Sequence, residues 1–220
     1  MGNQQEEFRK LAYAVGFFLG DGHLYVARSR GSFQVRFEKP DLECLEKVSR
    51  QLAEVFGNGG TIRVRRREGR APVGCLIVCS RDVWEWLAGN TLMRRVVPRE
   101  YFGEELAVQR EVLAGLMDSD GSVERNGRYV TVRFTNCELG LVDAVRGLAR
   151  NLGIGCGSVV QDLRHARVGY RMTLNAEEYW RRGYFVAARK QERLEARFRD
   201  ESSETSGRAK RLEVRGTSLA

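Results

Sequence analysis

A nine-residue segment occurs twice in this 220-residue chain, as AVGFFLGDG at 14–22 and as LAGLMDSDG at 113–121, an offset of 99. Two further pairs follow in the same order. VRFEKPDLECLEKV at 35–48 answers VRFTNCELGLVDAV at 132–145 at an offset of 97, and QLAEVFG at 51–57 answers GLARNLG at 147–153. An order kept while the offset drifts by a few residues marks a duplicated unit, and two copies are too few for a stacked solenoid. The expectation is a pseudo-two-fold pair of halves, 7–104 and 105–198, followed by a polar tail over 199–220 with little to bury.

Each half reads as the same elements in the same order. Residues 7–19 carry apolar positions at helical spacing, and the stretch after Gly22 alternates as strands do. In 33–38 the period of two sets Phe33, Val35 and Phe37 on one face and Gln34, Arg36 and Glu38 on the other. Its counterpart, 129–135, turns Val130, Val132 and Phe134 inward and Tyr129, Thr131, Arg133 and Thr135 outward. Amphipathic helices are expected over 41–56, ended by Gly57, and over 138–152, ended by Gly153. Strand pairs follow at 61–67 with 74–79 and at 157–162 with 169–174, and helices over 84–92 and 179–187 close the halves. The fold class is thus α+β, with two α-β-β-α-β-β-α units whose sheets have one apolar and one polar face.

Charge points to the partner. The chain has a net charge of +8 and a pI of about 9.5, and five of its 37 basic residues are lysine, which leaves 32 arginines. A basic surplus of this kind suits a polyanion, since each neutralised phosphate releases counterions, and the planar arginine fork grips phosphate or guanine in bidentate fashion. A GC-rich genome or a hot habitat biases composition toward arginine too, but neither puts Arg63, Arg65 and Arg67 on one strand face. Five cysteines form no CxxC pair, and His23 and His165 are the only histidines, so no zinc cluster of ordinary spacing can be drawn and reduced thiols are expected. The N-terminus MGNQQEEFRK lacks the apolar run of a signal peptide and no stretch suits a membrane span, from which an intracellular, cytoplasmic location without membrane contact is expected.

The repeated segment itself carries the chemistry. Gly16 and Gly20, and likewise Gly115 and Ser119, stand four apart and form flat stripes that let two helix backbones approach. Each stripe ends in an acid and a glycine, Asp21-Gly22 and Asp120-Gly121, where a helix stops and a strand starts. A single Asp-Gly after an apolar helix is usually just a turn. Two at equivalent places in a duplicated basic chain imply that packing the stripes together joins the acids at one end of a shared interface. Paired carboxylates need compensating charge, and hard oxygen ligands suit magnesium.

LAGLMDSDG matches the signature of the LAGLIDADG homing endonucleases at seven of nine positions, and the chain resembles that family over about 7–198. The first copy is looser, keeping Gly16, Asp21 and Gly22. The resemblance implies two antiparallel sheets forming a saddle over double-stranded DNA, with Asp21 and Asp120, and Gly20 and Ser119 before them, around divalent metal. Magnesium is the expected cofactor, with manganese as a substitute, and both strands would be cut across the minor groove with short 3′ overhangs. The family tends to carry glutamine or asparagine at the end of the second strand of each half; the matching residues here are Glu38 and Thr135, a departure. Lys39 and Lys190 are the candidates for a basic residue near the metals. Asp118, matched by Leu19 in the first copy, is expected to support rather than catalyse.

DNA contacts are expected from the outward strand residues Tyr25, Arg28, Gln34, Arg36, Arg63, Arg65, Arg67, Tyr129, Arg133, Gln161 and Arg171. Because one chain carries both acids and its halves have diverged, a monomer on an asymmetric site is expected. The alternatives within the same fold are a maturase assisting the folding of intron RNA and a DNA-binding regulator that does not cleave; a scaffold role leaves the recurring acids unexplained. No splicing segments flank the motifs, so an intein-borne unit is not expected.

Overall fold

The structure is a computed structural model and describes residues 2–27, 31–66, 69, 71–127, 129–163 and 168–198. The first half runs α1 (Gly2–Lys10), α2 (Ala12–Asp21), β1 (Gly22–Ala27), β2 (Ser32–Lys39), α3 (Leu42–Phe56), β3 (Thr61–Arg65), β4 (Val73–Cys79) and α4 (Arg81–Asn90). A short 3-10 helix, Arg99–Gly103, leads into α5 (Leu106–Asp120), β5 (Gly121–Asn126), β6 (Tyr129–Asn136), α6 (Leu139–Asn151), β7 (Val160–Asp162), β8 (Gly169–Leu174) and α7 (Ala176–Arg182), and residues 188–198 form a further helix, α8.

Helices α2 and α5 make the central seam. Every residue of α2 from Ala12 to Leu19 is buried, as a helix apolar all round must be. Its main partner is α5. The crossing depends on glycine: a Cβ on Gly16 would stand 2.2 Å from the Val112 carbonyl oxygen, and one on Gly115 2.3 Å from that of Tyr13. The small-residue stripes therefore set the separation of the halves.

The duplication is kept in the sheets, both antiparallel, with orders β1-β2-β4-β3 and β5-β6-β8-β7. Gly22 pairs with Phe37 and Gly121 with Phe134, so the strands leaving the two acids enter equivalent registers. Val35, Phe37, Leu76 and Val78 bury one face of the first sheet, and Val132, Phe134, Met172 and Leu174 that of the second. Against these pack α3, through Cys44, Leu45, Val48 and Leu52, and α6, through Leu141, Val142, Val145 and Leu148. Gly57 (φ 66°) and Gly153 (φ 69°) end them in the left-handed conformation that glycine adopts freely. The five cysteines are free thiols. Among the described residues no helix is long and apolar enough to cross a membrane.

Several expectations shift. The first helix breaks at Leu11, and the helix expected at 84–92 runs Arg81–Asn90 because Ser80 caps it, its hydroxyl accepting from the Val83 amide at 3.3 Å. The helix expected at 179–187 is replaced by α7, a break over 183–187 and α8. Side chains hold that break: the Tyr179 hydroxyl donates to the Tyr184 carbonyl (2.9 Å), and Asp118 accepts from the amides of Val186 (2.8 Å) and Ala187 (3.2 Å). Glu43 then accepts from the Ala188 amide at 2.8 Å, and Arg189 forks onto Asp41 at 2.6 and 2.9 Å, so α8 is tied to the first half. The 199–220 tail lies outside the described residues.

Candidate active site

Both motif acids stand at the last residue of a central helix, where a glycine in extended conformation (Gly22, φ −75°; Gly121, φ −81°) turns the chain into β1 or β5. Because α2 and α5 touch along their length, these ends meet. A Cβ on Gly20 would fall 2.1 Å from the Ser119 hydroxyl and 2.7 Å from Asp120 Oδ2. Burial raises the Asp120 pKa above the ordinary carboxylate range and the neighbouring Asp21 charge raises it further, while Asn136, Lys39 and Arg94 oppose the shift.

The side chains on the acids differ from the expected pair. Asn136 Nδ2 donates to Asp120 Oδ2 at 2.7 Å, and the Lys39 ammonium donates to Asp21 Oδ2 and, at 2.5 Å, to the Ser119 carbonyl oxygen. Lys39 and Asn136 are equivalent in the repeat, one residue past Glu38 and Thr135. Strand alternation explains the difference: Phe37 and Phe134 face the helices, so Lys39 and Asn136 do too, whereas Glu38 and Thr135 lie on the opposite face. Glu38 faces Arg65 (3.5 Å), and Thr135 lines a depression with Gly20, Asp120, Asn136 and Asp162.

Lys190, the other candidate basic residue, sits on the last turn of α5. Its ammonium donates to the Met117 (2.9 Å) and Asp118 (2.7 Å) carbonyls, and burial depresses its pKa to about 8 against the pull of Asp118. That is a cation capping the negative end of α5. In the first half the corresponding post is held by Arg94, which lacks any periodic or motif signal in the sequence. Its guanidinium donates to the Gly20 and, at 3.3 Å, the Leu19 carbonyls, within the field of both acids, and burial lowers its pKa. Three consecutive left-handed residues, Leu92 (φ 45°), Met93 (φ 58°) and Arg94 (φ 76°), bring it there.

Asp118 is fully buried and accepts from the Tyr13 hydroxyl at 3.0 Å as well as from Val186 and Ala187, which makes it a hub between α2, α5 and the 183–187 segment that leads into α8. Asp118→Ala is expected to cost about 3–5 kcal/mol, since those buried donors and the nearby Lys190 lose their acceptor and counter-charge. Urea unfolding with an unchanged m-value checks it; a midpoint shift equivalent to less than about 1 kcal/mol would refute the hub.

The donor set fits a hard cation. Among the described residues no three His, Cys, Asp or Glu side chains gather as a metal cage. What is gathered is one carboxylate from each half beside a main-chain carbonyl of the other, a set that suits magnesium when water and phosphate complete the shell. The polar sheet faces carry Tyr25, Gln34, Arg36, Arg63 and Arg65 in the first half and Tyr129, Arg133 and Arg171 in the second. The expected outward place of Gln161 is taken by Val160, which pairs with Arg171, whereas Gln161 pairs with Tyr170 and so shares the helix-facing side with Asn136. Arg36 is braced, stacked 4.5 Å over the Tyr25 ring and donating through Nε and a terminal nitrogen to Gln34 Oε1. Its counterpart Arg133 is paired instead with Glu124 at 2.7 Å. Arg28 and Arg67 lie outside the described residues.

The model of the LAGLIDADG-like domain family matches this chain twice, at residues 9–90 and 107–186. The Iron-sulfur cluster assembly SufBD family protein ML0593 of Mycobacterium leprae (strain TN) is 30% identical over 154 residues, 67% of this chain and 16% of that one. The replicative DNA helicase DnaB of Mycobacterium intracellulare is 27% identical over 176 residues, 78% and 25% respectively. The chain thus spans a quarter or less of the length of either relative. Among solved structures, mesophilic variants of the homing endonuclease I-DmoI align with a TM-score of 0.58 at 18% identity, covering 80% of this chain and 88% of that one. I-DmoI in complex with DNA and Mn gives 0.56 at 18% over 80% and 96%, and full-length DUF199/WhiA from Thermatoga maritima 0.55 at 14% over 95% and 68%. At these identities the likeness establishes the two-unit fold.

Proposed function

The chain belongs to the LAGLIDADG-like domain family, and from that premise we propose that it is an endonuclease that binds a long, asymmetric double-stranded DNA site as a monomer and hydrolyses both strands with divalent metal, leaving short 3′ overhangs. The observation that carries the proposal is the meeting of Asp21 and Asp120 at the ends of one helix pair, between two sheets whose polar faces bear arginine. Asp21 with the Ser119 carbonyl, and Asp120 with the Gly20 carbonyl, would hold magnesium or manganese, which when bound supplies a lowered pKa for water and charge stabilisation at phosphate. Asn136 orients Asp120 by donating to Oδ2, and Lys39 and Arg94 place positive charge where the phosphates enter.

Recognition is assigned to the sheet faces. With its plane on Tyr25 and one edge on Gln34, Arg36 keeps terminal donors free for guanine. Arg36→Ala is expected to cost about 1–3 kcal/mol of affinity and to relax preference at one base pair of the selected site. Competition binding against single-base variants checks this; equal weakening on every sequence would make Arg36 a phosphate clamp.

The experiment that tests the function is cleavage selection from a randomised duplex library with magnesium. A long asymmetric site cut to short 3′ overhangs is the expected result, and recovery of bound but uncut DNA overturns the nuclease. The second reading, a non-cleaving DNA-binding regulator, is favoured by one observation: protein cations already sit on the acid–carbonyl oxygens.

A further inference from the structure

Among the described residues three cations lie at the ends of α2 and α5, and two of them rest on the carbonyl that precedes a motif acid. Lys190 donates to the Met117 and Asp118 carbonyls, stopping one residue short of the carbonyl that precedes Asp120, and helix-end capping accounts for it. Lys39 bridges a carboxylate oxygen of one half and a carbonyl oxygen of the other, with its side chain 13% exposed and that of Asp21 24%. Arg94 donates to the Gly20 carbonyl in the field of both acids, and its Nε is buried with no hydrogen-bond partner among the described residues.

The two arrangements mirror each other without sharing ancestry in the repeat. Ser119 immediately precedes Asp120, and Gly20 immediately precedes Asp21, so each cation rests on the carbonyl before a motif acid. Yet Lys39 comes from the end of β2, where the second half has the neutral Asn136, and Arg94 comes from the segment after α4. Arg94 holds the post that Lys190 holds in the second half, one residue nearer the motif acid, and Lys39 has no basic counterpart, so duplication alone does not produce this pair of contacts. Placing Arg94 also requires three successive non-glycine residues at positive φ, a strained conformation that the surrounding structure must hold in place.

We propose that Lys39 and Arg94 are built-in counter-ions of the motif acids, seated on the oxygens that a divalent cation would use, so that metal enters by displacing them. A tethered cation acts at high effective concentration, so displacement is costly in the DNA-free protein. Entering phosphates offer both side chains a charged acceptor and release the acids. DNA and metal binding are then coupled, each strengthening the other. The inference rests on the reading of this centre as one that takes metal.

The test is Mn2+ titration of the full chain without DNA, followed by the electron paramagnetic resonance of the free ion. Weak binding by the wild type is expected. Lys39→Met should tighten one site by about tenfold or more as its tethered competitor is removed, and the gain should vanish in Lys39→Met/Asp21→Asn. Arg94→Gln should produce a similar gain independently, which keeps the test informative if Lys39→Met fails to fold. Micromolar or tighter binding of two ions by the wild type overturns the proposal, as does unchanged affinity in whichever variant retains the wild-type circular dichroism. Plasmid cleavage is read separately. Tightened Mn2+ binding in a chain that does not cut DNA supports the counter-ions and removes the nuclease; cutting without any change in affinity does the reverse.

Discussion

Asp120→Asn and Asp21→Asn are each expected to lower double-strand cleavage by about a thousandfold or more, because metal ligation stabilises charge by several kcal/mol and each 1.36 kcal/mol is about tenfold. The substitution is nearly isosteric. In Asp120→Asn the new amide oxygen can still accept from Asn136, so the fold should hold. DNA affinity should stay within about tenfold, since on the proposed reading it would rest on phosphate and base contacts along the sheets. Each variant keeps one acid, so nicked circles should accumulate from supercoiled plasmid carrying the selected site. Linear product formed by Asp120→Asn at the wild-type rate would remove that residue from the centre.

The other large effect is structural. Gly115→Val should abolish stable folding, because its Cβ would lie 2.3 Å from the Tyr13 carbonyl and 2.6 Å from the Phe17 amide nitrogen, main-chain atoms that yield only if α2 and α5 separate. Overpacking of ordinary cores costs about 1–3 kcal/mol, and a backbone collision along the central seam should exceed about 4 kcal/mol, much of the stability of a typical domain. Gly89→Ala supplies the contrast. That glycine lies in α4 with nothing within 4 Å of an added Cβ, so the substitution should stabilise by about 0.5–1 kcal/mol. Thermal melts of both variants decide the matter, and a Gly115→Val protein melting within a few degrees of wild type would mean the helices do not cross there.

Much of this architecture was legible because it is periodic or repeated. The offset of 99 residues located both acids, and the period of two assigned the faces of the second strands, from Phe33, Val35 and Phe37 to Val130, Val132 and Phe134, but not that of the short β7, where Gln161 turns to the helix side and Val160 outward. The same alternation contained the answer for the acids' partners. Carrying it one residue past Glu38 and Thr135 would have turned Lys39 and Asn136 toward the helices, and Asn136 is moreover an asparagine at the end of a second strand. Arg94 could not be found that way. Its position follows from three left-handed residues with no glycine among them, a conformation that composition argues against. The break at 183–187 was hidden for a related reason: the groups that stop the helix, Asp118 and Glu43, lie far away in sequence.

The anchoring of α8 bears on how such a chain could be recombined. It follows the second half in sequence, yet Glu43 caps its first turn and Arg189 grips the Asp41 carboxylate at the start of α3. A chimera that joined this amino-terminal unit to a foreign carboxy-terminal one at residue 105 would strip α3 of its Arg189 clamp and leave Asp41 and Glu43 facing an unrelated sequence. The exchangeable module is therefore not the sequence repeat. Residues 188–198 clasp both units, since Lys190 also caps the end of α5 and Arg193 donates to the Val123 carbonyl at 3.3 Å, so a workable graft must rebuild the contacts of α8 on whichever side is replaced.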